Sequence, residues 1–257
     1  MDPKYMHGCG NSFFVIDNMG SYFPIDDIQN VYLSLDGRMV VDGILVLSRS
    51  DSADVRMNYF NVLRGTRNVE RSKMCGNGIR CLSRFASDHG YVGRGFDVET
   101  DDGIKKVVVD GGHVTVDMGC PHNFQKVSET DYYVEVGIPH YVRFTDNLEP
   151  DVIRAEGKSL RDDRILIKRL GAFDNMLNYN GVRIDGSHDI SLITRECGVE
   201  DVTLACGTGS CSSAYVSHAA REMKFPISVH NRGGVIHVDE GKKGNIVMTG
   251  PAEYITI

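Results

Sequence analysis

Met74-Cys75-Gly76-Asn77-Gly78-Ile79-Arg80-Cys81-Leu82-Ser83-Arg84-Phe85 sets one cysteine in a glycine-punctuated turn directly ahead of a run with helical spacing. The second half of the chain repeats the plan at Ala205-Cys206-Gly207-Thr208-Gly209-Ser210-Cys211-Ser212-Ser213-Ala214-Tyr215. Glycine tolerates backbone conformations closed to other residues and leaves main-chain N–H groups exposed beside the sulfur. A helix starting there has four amides without internal partners and a partial positive charge at the same spot, which attracts a carboxylate. It also draws a thiol pKa from about 8.5 toward neutrality, making thiolate available. One such turn is a thiol beside an anion hole. Two of them facing one ligand are an acid and a base on opposite sides of it.

The rest of the composition narrows the setting. At 257 residues the chain exceeds one comfortable core and predicts two domains. A net charge of -7, with no basic run to offset it, argues against a nucleic-acid or anionic-membrane partner. No stretch approaches the roughly 18 consecutive apolar residues of a membrane-spanning helix, and the opening residues carry no signal-peptide pattern, so a cytoplasmic location is expected. The seven cysteines are Cys9, Cys75, Cys81, Cys120, Cys197, Cys206 and Cys211. An odd number without an export signal predicts reduced thiols. No pair has C-x-x-C spacing and no H-x-x-x-H exists, so the signature of a structural zinc site is missing.

Along the chain, Tyr5 to Asp17 reads as a glycine turn feeding a buried strand, with Asn11 either a turn residue or a side chain offered to a ligand. A short helix is expected over Ile28–Leu35, and strands over Val41–Leu47 and Val55–Val62. Arg64 to Lys73 reads as a basic surface loop. Ile79, Leu82, Phe85 and Ala86 recur at helical spacing up to His89, and Gly90 closes the run. Lys105–Asp110 and His113–Met118 flank Gly111-Gly112 as a hairpin, with a domain boundary nearby. Asp131 to Phe144 reads as two strand pieces broken at Gly137-Ile138-Pro139-His140. There His140 is either a core histidine or a functional group on a shaped turn. Asp146–Asp163 is a polar helix or loop, and Arg164–Ile167, Gly181–Ile184 and Ile190–Arg195 read as strands. The second cysteine turn opens a helix over Ser210–Lys224, followed by strands at Ile227–His230, Val235–Val238 and Asn245–Thr249. Each half thus runs strands, cysteine turn, helix, strands, which is a coarse internal duplication. Cys81 and Cys211, inside their helices, read as buried small residues.

His7-Gly8-Cys9-Gly10-Asn11-Ser12-Phe13, the two cysteine motifs, Gly137-Ile138-Pro139-His140, Glu196-Cys197-Gly198 and Thr249-Gly250-Pro251-Ala252 stand in the order seen in diaminopimelate epimerases. The resemblance spans nearly the whole chain. It implies an α/β (α+β) fold of two pseudo-symmetric domains, each a barrel-like sheet wrapped around a central helix, with the active site in the cleft between them. The domains would be 1–117 with 250–257, carrying Cys75, and 118–249, carrying Cys206. It further implies an isomerase that epimerises an amino-acid α-carbon without a cofactor. One of Cys75 and Cys206 would act as thiolate base and the other as thiol acid, because inversion needs a base and an acid on opposite faces of a carbon. Amides near Gly76-Asn77 and Gly207-Thr208 would stabilise the charge that develops on the carboxylate. By the same resemblance His140 and Glu196 match positions that tune the cysteines, Asn11 and Asn178 match asparagines that contact substrate, and Asn61 is the nearest equivalent of a third.

Three departures bear on the substrate. An N-A-D-G segment common in the family is replaced by Phe60-Asn61-Val62-Leu63-Arg64-Gly65, farther from the first cysteine turn. An asparagine common before Pro-His is Ile138, and the arginine expected after Glu196 is Cys197. These positions would hold the distal amino and carboxylate groups of diaminopimelate, and losing an arginine removes a bidentate clamp that the basic loop would have to replace. LL-diaminopimelate leads as substrate; histidine or a lanthionine-like diacid on the same scaffold is the alternative. A thiol redox switch using the two cysteines is the reading from a different class. No motif decides oligomeric state, and a homodimer is compatible with the sequence.

Overall fold

The structure is a computed structural model that describes residues 4–20, 24–34, 40–63, 66, 68–172 and 176–256. The chain divides into two compact units, Met1–Val116 with Gly250–Ile257, and Asp117–Thr249. Each mixes a mainly antiparallel sheet with a few helices.

In the first unit β1 (Lys4–Gly8) and β2 (Asn11–Asp17) form a hairpin whose two loop residues, Cys9 and Gly10, both have positive φ, 53° and 81°. That is the twist a two-residue hairpin loop requires. Helix α1 (Ile28–Ser34) crosses to β3 (Gly43–Ser48), which runs parallel to β2 and antiparallel to β4 (Val55–Val62). β5 (Val69–Ser72) pairs with β4. Helix α2 (Gly76–Asp88) then leads to β6 (Gly95–Thr100), parallel to β4, and on to β7 (Gly103–Asp110) and β8 (His113–Gly119) by hairpins. Ten of the thirteen α2 residues are buried, so it is a central helix, packed on β1, β2, β3, β4 and β7. Ile79, Leu82 and Phe85 are at most 2% exposed, each contributing roughly 1.5–3 kcal/mol by burial. On the other face of the sheet Phe14, Ile16, Ile44, Val46 and Phe60 pack beneath α1. A last strand, Glu253–Tyr254, returns to pair with β1.

The second unit repeats this plan. β9 (His122–Lys126) flanks the hairpin of β10 (Asp131–Val136) and β11 (Ile138–Phe144). Helices α3 (Pro150–Asp162) and α4 (Arg164–Leu170) occupy the place of α1. β12 (Asn178–Ile184) is parallel to β11 and antiparallel to β13 (Asp189–Glu196), which carries the short β14 (Asp201–Val202). Helix α5 (Gly207–Arg221) leads to β15 (Ile227–Asn231), parallel to β13, then β16 (Gly234–Glu240) and β17 (Ile246–Pro251) by hairpins. The alternation of hairpin and parallel step is the same in both units, and in both the helix after the cysteine is the one enclosed by sheet.

Four local expectations change. Arg164–Ile167 is the start of α4 rather than a strand. The apolar run suits either periodicity, and the cap decides: Asp163 accepts from the Leu166 amide at 2.9 Å, and Gly171 ends the helix at φ 73°. Within Arg64–Lys73, Val69–Ser72 is strand β5; Arg64, Gly65 and Arg67 lie outside the described residues, as does Leu35. The break at Gly137–His140 narrows to Gly137 alone, at φ 75°, so His140 belongs to a strand. Helix α5 begins at Gly207 and stops at Arg221, with Glu222 left-handed at φ 59°.

Helix α3 lies so close to its sheet that a Cβ on Gly157 would come within 2.8 Å of Arg195 Cδ and 2.9 Å of Tyr179 Cβ. Gly157→Val is expected to cost about 1–3 kcal/mol by overpacking, read as a lower thermal midpoint; an unchanged midpoint would show that α3 can back away freely. Among the described residues no helix is long and apolar enough to cross a membrane.

Candidate active site

Both candidate cysteines are helix N-caps. Cys75, in extended conformation at φ −135° and ψ 124°, precedes α2 and accepts the Gly78 N–H on Sγ at 3.5 Å. Cys206, at φ −119° and ψ 116°, precedes α5 and accepts the Gly209 N–H on Sγ at 3.3 Å. The first intrahelical bonds run from Ile79 N to Cys75 O and from Ser210 N to Cys206 O. The amides of Gly76 and Asn77, and of Gly207 and Thr208, therefore precede the helical ladder at the positive ends of the two dipoles.

Around Cys75 a chain of side chains fixes the geometry. The Cys75 thiol donates to Asn11 Oδ1 at 3.7 Å, and Asn77 Nδ2 donates to the same oxygen at 3.3 Å. Arg80, wholly buried on α2, donates to Asn77 Oδ1 at 2.9 Å, to Gly76 O at 3.1 Å and to Pro251 O at 3.2 Å. A guanidinium only donates, so it compels Asn77 to turn its oxygen inward and its NH₂ toward Asn11. Asn61 sits on β4, two residues from Tyr59 and on the same face, and accepts from the Tyr59 hydroxyl. Cys9 is 1% exposed; burial raises its thiol, opposed by the Arg80 guanidinium. Cys81 is pushed up to about 12, chiefly by burial. With Cys211 also fully buried, the helix-interior cysteines are packing groups, as expected.

Around Cys206, Thr208 Oγ1 lies 3.5 Å from Sγ. Gly209 admits no side chain: a Cβ there would meet Asn180 Oδ1 at 2.7 Å and Thr194 Oγ1 at 3.0 Å. Asn180 in turn reaches His140 Nδ1 at 3.0 Å. His140 is fully buried, and burial lowers its pKa to about 3 against the weaker opposing effect of Asn180, so it is neutral at ordinary pH. Asn178 faces His140 in the parallel register of β11 and β12, and its Oδ1 accepts the Cys197 amide at 2.8 Å. Glu196, at the end of β13, accepts from the Thr203 hydroxyl.

The structure thus groups Asn11, Gly76 and Asn77 with Cys75, and Thr208 with Cys206. It places His140 beside Asn178, and Glu196 one residue from the amide that Asn178 holds. Sequence reasoning passes over Arg80, Asn180, Thr194 and Thr203. Asn180 had a signal: it follows Asn178 by two residues on a strand, which puts two asparagines on one face. Among the described residues no group of three or more His, Cys, Asp or Glu side chains is placed to hold a metal ion.

The sequence profile of the diaminopimelate epimerases matches residues 4–123 and 132–255. The chain belongs to the diaminopimelate epimerase family. It is similar to the diaminopimelate epimerase of Archaeoglobus fulgidus, 31% identical over 97% of this chain and 92% of that one, and to that of Methanothrix thermoacetophila, 33% identical over 96% and 91%. Solved structures show the same fold at lower identity. They include a phenazine biosynthesis protein of the PhzF family from Bacillus anthracis (TM-score 0.72, 15% identity, 100% of this chain and 98% of that one) and a hydroxyproline epimerase from Agrobacterium vitis (0.68, 14%, 98% and 88%). As a family member the chain is an isomerase. Two of the three departures noted in the sequence fall on half-buried positions: Ile138 opens β11 two residues before His140, and the Cys197 thiol is pushed up to about 11, mainly by burial. A neutral thiol there cannot clamp a carboxylate as an arginine would.

Proposed function

We propose that this protein epimerises an amino-acid α-carbon without a bound cofactor, using Cys75 and Cys206 as thiolate and thiol on opposite faces of that carbon. The leading substrate is LL-diaminopimelate, converted to the meso isomer that feeds lysine and peptidoglycan precursors. The observation that carries the reading is the repeated cap: two topologically equivalent helices each begin with a cysteine whose sulfur takes the amide three residues on. In the reaction the thiolate takes the α-proton and the electron pair left on carbon delocalises into the carboxylate. The thiol opposite returns a proton to the other face, and the two sulfurs exchange protonation states. The Gly76, Asn77, Gly207 and Thr208 amides stabilise the carboxylate as its charge grows. Names shared by relatives covering nearly the full chain support diaminopimelate.

Ile138 and the neutral Cys197 favour a second reading for the substrate alone, a monocarboxylic amino acid such as histidine. Incubation of the reduced protein in deuterated water with LL-diaminopimelate, and separately with a panel of amino acids, separates the two by loss of the α-proton NMR signal. Exchange with formation of the meso isomer is the expected result. Exchange confined to another amino acid changes the substrate and keeps the chemistry; no exchange with any compound refutes the proposal.

A further inference from the structure

The hydrogen bonds beneath the Cys206 turn decide where the proton of His140 sits. Asn180 places one amide atom 3.1 Å from the Tyr141 carbonyl oxygen, which can only accept, so that atom is Nδ2. The same nitrogen lies 3.0 Å from His140 Nδ1, and the Thr194 hydroxyl donates to Asn180 Oδ1 at 2.8 Å. With an obligate donor facing Nδ1, that ring nitrogen must accept, and the single proton of the neutral imidazole is on Nε2. Nε2 is itself fully buried and has no hydrogen-bond partner among the described residues. A buried N–H with nothing to bond bears the whole desolvation penalty of its lost water, so such groups are rare unless function supplies the acceptor. The pair that imposes this state touches the catalytic turn directly, since Asn180 Oδ1 and Thr194 Oγ1 are the atoms that crowd Gly209.

We propose that Thr194 and Asn180 are positioning residues that lock His140 as a neutral imidazole protonated on Nε2, making it a fixed hydrogen-bond donor to an anionic acceptor that arises in turnover rather than an acid or a base. The acceptor is either a cysteine thiolate or the carboxylate of the substrate. This role rests on the epimerase reading above; the tautomer itself does not.

The test is ¹⁵N NMR of the histidine side chains in the full chain, with His140→Gln identifying the resonances. The expected spectrum has a protonated Nε2 and a bare Nδ1 for His140, unchanged between about pH 5.5 and 8.5, the range where an ordinary histidine titrates. Asn180→Asp replaces the donor by an acceptor and is expected to move the proton to Nδ1 and to cut turnover by about 10²-fold. Thr194→Val is expected to lose activity that Thr194→Ser restores. A fall confined to kcat assigns the acceptor as thiolate, and a rise in KM assigns it as the substrate carboxylate. A bare Nε2, a histidine that titrates in this range, or wild-type turnover in both Asn180→Asp and Thr194→Val would overturn the proposal. Failure of the wild-type protein to exchange any α-proton would instead remove the epimerase reading and leave the tautomer result standing.

Discussion

Cys75→Ala and Cys206→Ala, made singly, are expected to lose on the order of 10³-fold or more in the rate of inversion, because each removes one of the two groups proposed to move the α-proton. Stability should change little. The sulfur of each caps one helical amide, a contact whose loss costs about 1 kcal/mol. Serine at either position keeps an oxygen for that amide but holds its proton far more tightly than a thiol, so Cys→Ser should match the wild type in melting and the alanine variant in activity. The single variants carry further information. With one sulfur left, α-proton exchange from one stereoisomer should persist without inversion, and the isomer that still exchanges identifies the face the remaining cysteine serves. Near-normal turnover in either alanine variant would end the two-cysteine mechanism.

The second large effect is expected at Arg80. Arg80→Leu removes the donor to Asn77 Oδ1 and Pro251 O, and buried acceptors left unmade cost about 1–3 kcal/mol each. At a few degrees of melting temperature per kcal/mol for units of this size, the thermal midpoint should fall by on the order of 10 °C. Activity measured well below that midpoint should fall as well, since Asn77 loses the constraint that turns its NH₂ toward Asn11, and Asn11 is what meets the Cys75 thiol. Arg80→Lys retains the charge on a single donor nitrogen in place of the fork and should lie between. A midpoint within about 2 °C of wild type, by calorimetry, would show that the guanidinium is not what organises this corner.

Both cysteine turns and both central helices were legible from the sequence, because the signal is local: a cysteine cap, glycines where amides must be bared, apolar residues every three or four positions. The duplicated plan followed from the same signal. What escaped depends on contacts distant in sequence. Arg164–Ile167 reads equally well as strand or helix until the Asp163 cap and the buried face of Ile167 and Leu170 are seen. Val69–Ser72 is polar and looks like loop; it is a strand because β4 has an edge for it to pair with. Arg80 and Asn180 are polar residues that periodicity would leave facing water. Their burial is set by partners as far along the chain as Pro251 and His140, which no local pattern announces.

The return strand has a consequence for how the protein is made. Pro251 O completes the bonding of Arg80, Ala252 N bonds Gly112 O, Ile255 N bonds Tyr5 O, and Glu253–Tyr254 pairs with β1. These residues are synthesised after everything else in the described chain. On the ribosome, where domains generally fold in the order they emerge, the unit that begins the chain is therefore the one completed last. Its buried arginine and the edge of its first strand stay unfinished until the second unit has been translated in full.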